Sequence, residues 1–141
     1  MFKAIDPLAI TFYKSPSDPD ISNPTVFHIG RLDPALRDYI DGKCMSMEQS
    51  GSDKKSSTRK VKINTLQHAT MLVQFGLRGI DNFQDADGKP VAVALGQTSI
   101  NGKSYPTFPE EVIASFGVSL VEELAGVIYS EQHISEEEAK N

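Results

Sequence analysis

Between Ile63 and Leu77 the chain places Leu66, Ala69, Val73 and Leu77 on one helical face, with Leu72 widening it, and no other stretch constrains the fold as much. Side chains spaced by three and four residues lie one above another on a helix, and a face that apolar has to be covered by other elements. A chain of 141 residues has room for one ordinary core, so the spacing predicts a central core helix and a single domain spanning 1–141. Gly79 is expected to stop that helix in a left-handed turn.

The flanking segments predict the elements that cover this face. Ala9 to Tyr13 and Thr25 to Ile29 are β-branched and aromatic and read as two strands that pair as a hairpin. The turn formers Ser15 to Asp20 make the connection between them, expected to be long and mobile. Asp33 and Pro34 read as the cap and first position of a helix carrying Leu36, Tyr39 and Ile40, broken by Gly42 or frayed before Gln49. Residues 49–60 offer nothing apolar to offset the entropy of ordering, so a mobile loop is expected there.

Asp85 to Pro90 predicts a tight turn, Val91 to Leu95 a strand, and Asn101-Gly102 an exposed β-arm built from Gln97–Ile100 and Ser104–Thr107. A short helix from Phe108 ends at Gly117, and Ser119 is expected to cap a longer one. In that helix Leu120, Val121, Leu124, Val127 and Ile128 repeat at helical spacing. A mobile tail is expected over 135–141, in which the capping-box pattern Ser135 to Glu138 reads as a last turn or a helix ordered on binding. The fold class is therefore α+β, with N-terminal strands, a central helix, a hairpin arm and C-terminal helices.

No combination of residues proposes a chemistry. If Gly88 took the sharp-turn position of a calcium loop, the terminal ligand positions would fall on Phe83 and Ala94, so that reading fails. His28, His68 and His133 stand on separate elements without zinc spacing; His68 is expected to be solvated and His133 to act as a cap. Cys44, beside Met45 and Met47, reads as a packing residue rather than a nucleophile. None of Gly76, Gly79, Gly88, Gly96 and Gly102 sits in a phosphate-loop spacing. No enzyme activity, cofactor or metal is expected.

The net charge of −5 argues against nucleic-acid binding, which needs a basic surface. The basic run Lys54, Lys55, Arg59, Lys60 and Lys62 reads as a solvated tether. A lone cysteine and no long apolar run predict a cytoplasmic protein without a membrane partner.

From Leu72 to Asn141 the order of parts is more telling. Leu72 to Phe83 leads into Asp85-Ala86-Asp87-Gly88-Lys89, then a short β-rich insert, a helical segment and an ending in Glu136-Glu137-Glu138-Ala139-Lys140-Asn141. This order resembles a group of small proteins from tailed bacteriophages and prophages, placed near tail genes and described as tail-assembly chaperone-like. Asn82-Phe83 and Asp87-Gly88 match the group, while Ile80 stands where a tryptophan is common. Asn23-Pro24-Thr25-Val26-Phe27, leading to Leu32 and a helix, matches it in outline.

The resemblance implies a non-enzymatic phage tail morphogenesis factor in the host bacterial cytoplasm, an assembly chaperone that binds a tail tube or tape-measure protein. The alternative it implies is a structural virion protein at the tail completion or head–tail joint. Homo-oligomerisation stays open. Because the stripe on the last helix is broader than one small domain needs, the partner is expected to bind Leu120, Leu124, Val127 and Ile128 through apolar contact, with Glu136, Glu137 and Glu138 in the adjoining acidic tail.

Overall fold

The computed structural model describes Met1 and residues 8–49, 59–63 and 65–140, with side chains described for Met1, 8–45 and 65–130. It shows an α+β fold. Strands β1 (Thr11–Lys14) and β2 (Val26–Ile29) pair antiparallel as expected, and β5 (Leu77–Asp81) adds to the other side of β2, giving the order β1-β2-β5. The register sets Tyr13, Phe27 and Ile80 in one row facing the core, and Phe12, His28 and Gly79 in the next row facing outward.

Helix α1 (Pro34–Cys44) starts where Asp33 and Pro34 predict and buries Leu36, Ile40 and Cys44. It runs through Gly42 rather than breaking there. Asp33 does more than cap. Its Oδ1 accepts the Leu36 amide at 2.7 Å, while Oδ2 accepts the Lys103 ammonium at 2.8 Å and the Tyr105 hydroxyl at 2.9 Å. That carboxylate therefore ties the hairpin β6 (Gly96–Ile100)–β7 (Lys103–Thr107) to the start of α1.

The hairpin turn is the one expected, with positive φ at both Asn101 and Gly102. It is not a free arm, because Ile100, Tyr105 and Thr107 are buried and the Tyr105 ring packs edge-on against Phe75 at 6.5 Å. Replacing Asp33 by Ala should cost about 0.5–2 kcal/mol from the lost cap, since water takes over the exposed Lys103 ammonium. The contribution is pH-dependent. Burial alone would push the Asp33 carboxyl up, but hydrogen bonds from Lys103, the Leu36 amide and Tyr105 outweigh it and hold the pKa below the ordinary aspartate value.

A lowered folded-state pKa stabilises the fold above the ordinary value and loses that stabilisation as pH falls through the folded value. The stability gap between wild type and Asp33→Asn, read from denaturant midpoints, should thus be full near neutrality and close below about pH 4. A gap that persists unchanged into acid would remove the charged contacts from the account.

The central helix α2 (Thr65–Gly76) buries Ala69, Leu72, Val73, Phe75 and Gly76. Three expectations about it are corrected. Leu77, expected on its core face, is buried as the first residue of β5. Leu66, in the first turn, is 47% exposed, because the core covers this helix only from Ala69 onward. Gly79 does not terminate it; the chain passes from Gly76 straight into β5. The last carbonyls of α2 need no left-handed cap because tertiary donors reach them: the Phe108 amide to Gln74 O at 2.8 Å, the Arg78 guanidinium to Phe75 O, and the Gly30 amide to Gly76 O at 2.7 Å. Gly79 serves the sheet instead, since a Cβ there would lie 2.7 Å from His28 Nδ1.

Strands β3 (Met45–Gln49) and β4 (Arg59–Ile63) form a two-stranded ribbon between α1 and α2, which the sequence reading missed. The ends of the expected 49–60 loop thus belong to strands, and its remainder, 50–58, lies outside the described residues. Val91 to Leu95 forms no strand. Among the described residues the ladder contact beside it is the isolated Gln84–Pro90 bridge, and Pro90 has no amide to extend it.

Helix α3 (Glu110–Ala114) is followed by Gly117 in the left-handed region, at φ 85°. Helix α4 begins at Val118, which puts Ser119 inside it, and its backbone continues to Lys140. The expected tail from 135 is therefore helical through residue 140, with Asn141 outside the described residues. His133 lies within this helix rather than between two, and its side chain is outside the described set. Val121, Leu124, Ala125 and Ile128 of α4 are buried against α2 in one continuous apolar cluster. Ile128 approaches so closely that a Cβ on Gly76 would stand 2.8 Å from two of its carbons. No described helix is long and apolar enough to cross a membrane.

Candidate functional site

Where the β1–β2 connection meets the start of α4, three phenylalanines line a cleft of about 360 Å³. Phe27 reaches it from β2. Phe83 is delivered by Asn82, which takes φ 58° and turns the chain out of β5. Asn82 is pinned there because its carbonyl accepts the Thr25 hydroxyl at 2.8 Å and its amide donates to Pro24 O at 3.3 Å. The Asp85–Lys89 turn then folds the chain back, so that the Val91 amide bonds Phe83 O at 3.0 Å.

Phe116 arrives from the other side, between α3 and Gly117. It meets Phe27 edge-on at 5.9 Å and Phe83 edge-on at 5.2 Å. Such T-shaped pairs add about 0.5–1.5 kcal/mol beyond area burial, enough to hold the cleft floor in one arrangement.

One wall is the β1–β2 connection, which is stitched rather than loose. Asp18 Oδ1 accepts the Asp20 amide at 2.9 Å and Oδ2 the Thr25 amide at 2.8 Å, and Asp20 in turn accepts the Asn23 amide at 3.1 Å. These backbone donors hold the Asp18 carboxyl below the ordinary range, so it is ionised across the neutral region.

The opposite wall is the first turns of α4, with Ser119, Leu120 and Glu123 lining the cleft. Glu123 is fixed by the Tyr13 hydroxyl, which donates to Oε2 at 2.7 Å. Burial, that hydrogen bond and the charge of Glu123 push the Tyr13 pKa up to about 12, so the hydroxyl stays a donor. The result is an apolar floor between two ordered polar walls, the usual form of a site that takes an apolar group in a set orientation.

Of the partner-binding residues with described side chains, only Leu120 reaches this cleft. Leu124 and Ile128 are 0% and 1% exposed and belong to the core, and the half-buried Val127 packs against it. The breadth of the stripe is used up inside the molecule, because α4 must cover α2 along its length. Glu136, Glu137 and Glu138 lie in the last turns of α4, with side chains outside the described set.

Phe27, Phe83, Phe116, Asp18 and Glu123 were not foreseen. A signal existed for Phe83, since Asn82-Phe83 is one of the motifs on which the phage resemblance rests, and the turn at Asp87-Gly88 is another. For Phe27 and Phe116, aromatic residues 89 positions apart carry no local sign that they meet.

Elsewhere, His68 is not simply solvated; its Nε2 lies 2.7 Å from Asp41 Oδ1, joining α2 to α1. His28 Nε2 pairs with Asp81 Oδ2 at 2.8 Å on the outer face of the sheet. Cys44 is buried 3.7 Å from the Met71 sulfur, and burial together with the charge of Asp41 pushes its thiol up, away from the nucleophilic thiolate. Among the described residues no three His, Cys, Asp or Glu side chains are grouped so as to hold a metal ion. No family model, curated protein or solved structure matches this chain.

Proposed function

We propose that this chain is a non-enzymatic factor of phage tail morphogenesis, an assembly chaperone whose aromatic cleft holds an apolar segment of a tail tube or tape-measure protein in the host cytoplasm. The observation that carries this reading is the cleft itself: Phe27, Phe83, Phe116 and Leu120 between ordered walls, with no histidine, cysteine or lysine among the described residues that line it. Phe83 and the turn behind it are also the residues on which the likeness to the tail-assembly group rests. Binding through neither nucleic acid nor membrane is part of the same proposal.

Co-expression with the tube and tape-measure proteins tests it. Phe83→Ala and Leu120→Ala should each lower co-purification by about tenfold or more, the loss of one central anchor. Undiminished co-purification by both variants would remove the cleft from the interface. A structural role in the virion is the second reading, favoured by Ile10 and Phe12, which are 46% and 67% exposed at and beside β1, the terminal strand of its sheet. Stoichiometric presence in finished particles would put that reading first.

A further inference from the structure

We infer that the segment received by the cleft is cationic as well as apolar: an aromatic or long aliphatic side chain of the tail protein flanked by lysine or arginine. The inference rests on the cleft being the binding site. It starts from the charges placed around the three phenylalanines. Asp18 stands on one wall and Glu123 on the other, and among the described residues the lining contains no lysine, arginine or histidine.

A second hollow of about 470 Å³ continues from the first, sharing Asp18, Thr25 and Phe83 and adding Asp20, again with no basic residue among the described ones that line it. The acidic character thus extends along a groove rather than marking one point.

These carboxylates are also held in place. Both oxygens of Asp18 accept backbone amides, Asp20 accepts the Asn23 amide and the Ser22 hydroxyl, and Glu123 is gripped by Tyr13. All of these donors are neutral, so the bonds orient the carboxylates without cancelling their charge. A wholly apolar occupant would strip water from Asp18 and Glu123 and give nothing back, a cost that a flanking cation removes. An acidic occupant would meet like charge on both walls. Complementarity therefore selects a basic partner segment, and the chain's overall charge of −5 acts in the same direction at longer range.

Fluorescence anisotropy on the full chain tests this with two labelled hexapeptides of equal apolar content, Lys-Leu-Phe-Lys-Leu-Lys and Glu-Leu-Phe-Glu-Leu-Glu. The cationic peptide should bind at least about tenfold more tightly at low salt, and the gap should narrow at about 1 M salt, where the screening length falls to about 3 Å. Glu123→Gln keeps an acceptor for Tyr13, and Ser119→Lys adds a cation at an exposed rim position. Each should weaken the cationic peptide severalfold and leave the acidic one unweakened.

Equal affinity for the two peptides, or indifference to both variants, overturns the charge inference. If Leu120→Ala still abolishes binding in that case, the cleft reading survives alone. If neither peptide binds, the inference falls. The cleft reading falls with it only if Leu120→Ala and Phe83→Ala are also neutral in co-purification. A salt-sensitive self-association, lost on Glu123→Lys and on Lys60→Glu with Lys62→Glu, would assign the groove to a second copy of this chain and overturn the tail-protein segment.

Discussion

Val73→Asp should leave no cooperatively folded protein. Val73 is 0% exposed in the second half of α2 and belongs to the apolar cluster that runs from Phe27 to Ile128. A carboxylate there would have neither water nor partner, a cost of several kcal/mol even after the group protonates. A domain of this size has on the order of 5–15 kcal/mol in total. Far-UV circular dichroism through a thermal ramp gives the answer. A sharp transition near the wild-type midpoint would mean that this face of α2 is not core.

Leu124→Ala should lower stability by about 2–5 kcal/mol, the range for removing a buried leucine and leaving a partly collapsed cavity. That corresponds to a drop in Tm on the order of 10 °C. The result matters because the spacing of α4 alone suggests a surface residue for partner contact, whereas the structure buries Leu124 completely. The fraction that remains folded should therefore bind the partner proposed above as well as wild type does. Leu120→Ala should show the opposite pattern, with little change in Tm and weaker binding. If Leu124→Ala leaves Tm unchanged and weakens binding, α4 faces a partner and the packing described above is wrong.

These two leucines show what was legible and what was not. Periodicity places Leu120 and Leu124 on the same helix and the same broad stripe, and it does so correctly. It cannot say which part of the stripe is covered by α2 and which part borders a cleft, because that depends on elements far away in the chain. Leu66 and Leu77 make the same point in opposite directions. Both fit the helical pattern, yet one is half exposed in the first turn and the other is buried in a strand.

Local signals fared best where the responsible physics is local. The Asp33 cap, the Asn101-Gly102 turn and the Asp85–Gly88 turn depend on backbone geometry within a few residues, and each stands where expected. The end of α2 failed because Gly79 has two uses, as a left-handed cap or as room for a neighbour. The donors from Gly30, Arg78 and Phe108 made the first unnecessary, while the His28 ring required the second.

By itself, then, the sequence determined an α+β chain with a capped first helix, an amphipathic central helix, a tight hairpin and an apolar-striped helix near its end, since propensity, capping and hydrophobic period act over a single turn or strand. Only the tertiary structure decided that the hairpin is docked through Asp33, that β3 and β4 pair, and that Phe27, Phe83 and Phe116 converge between Asp18 and Glu123. Contacts between residues tens of positions apart leave no periodic trace, because burial at each position is set by whatever the rest of the fold brings against it.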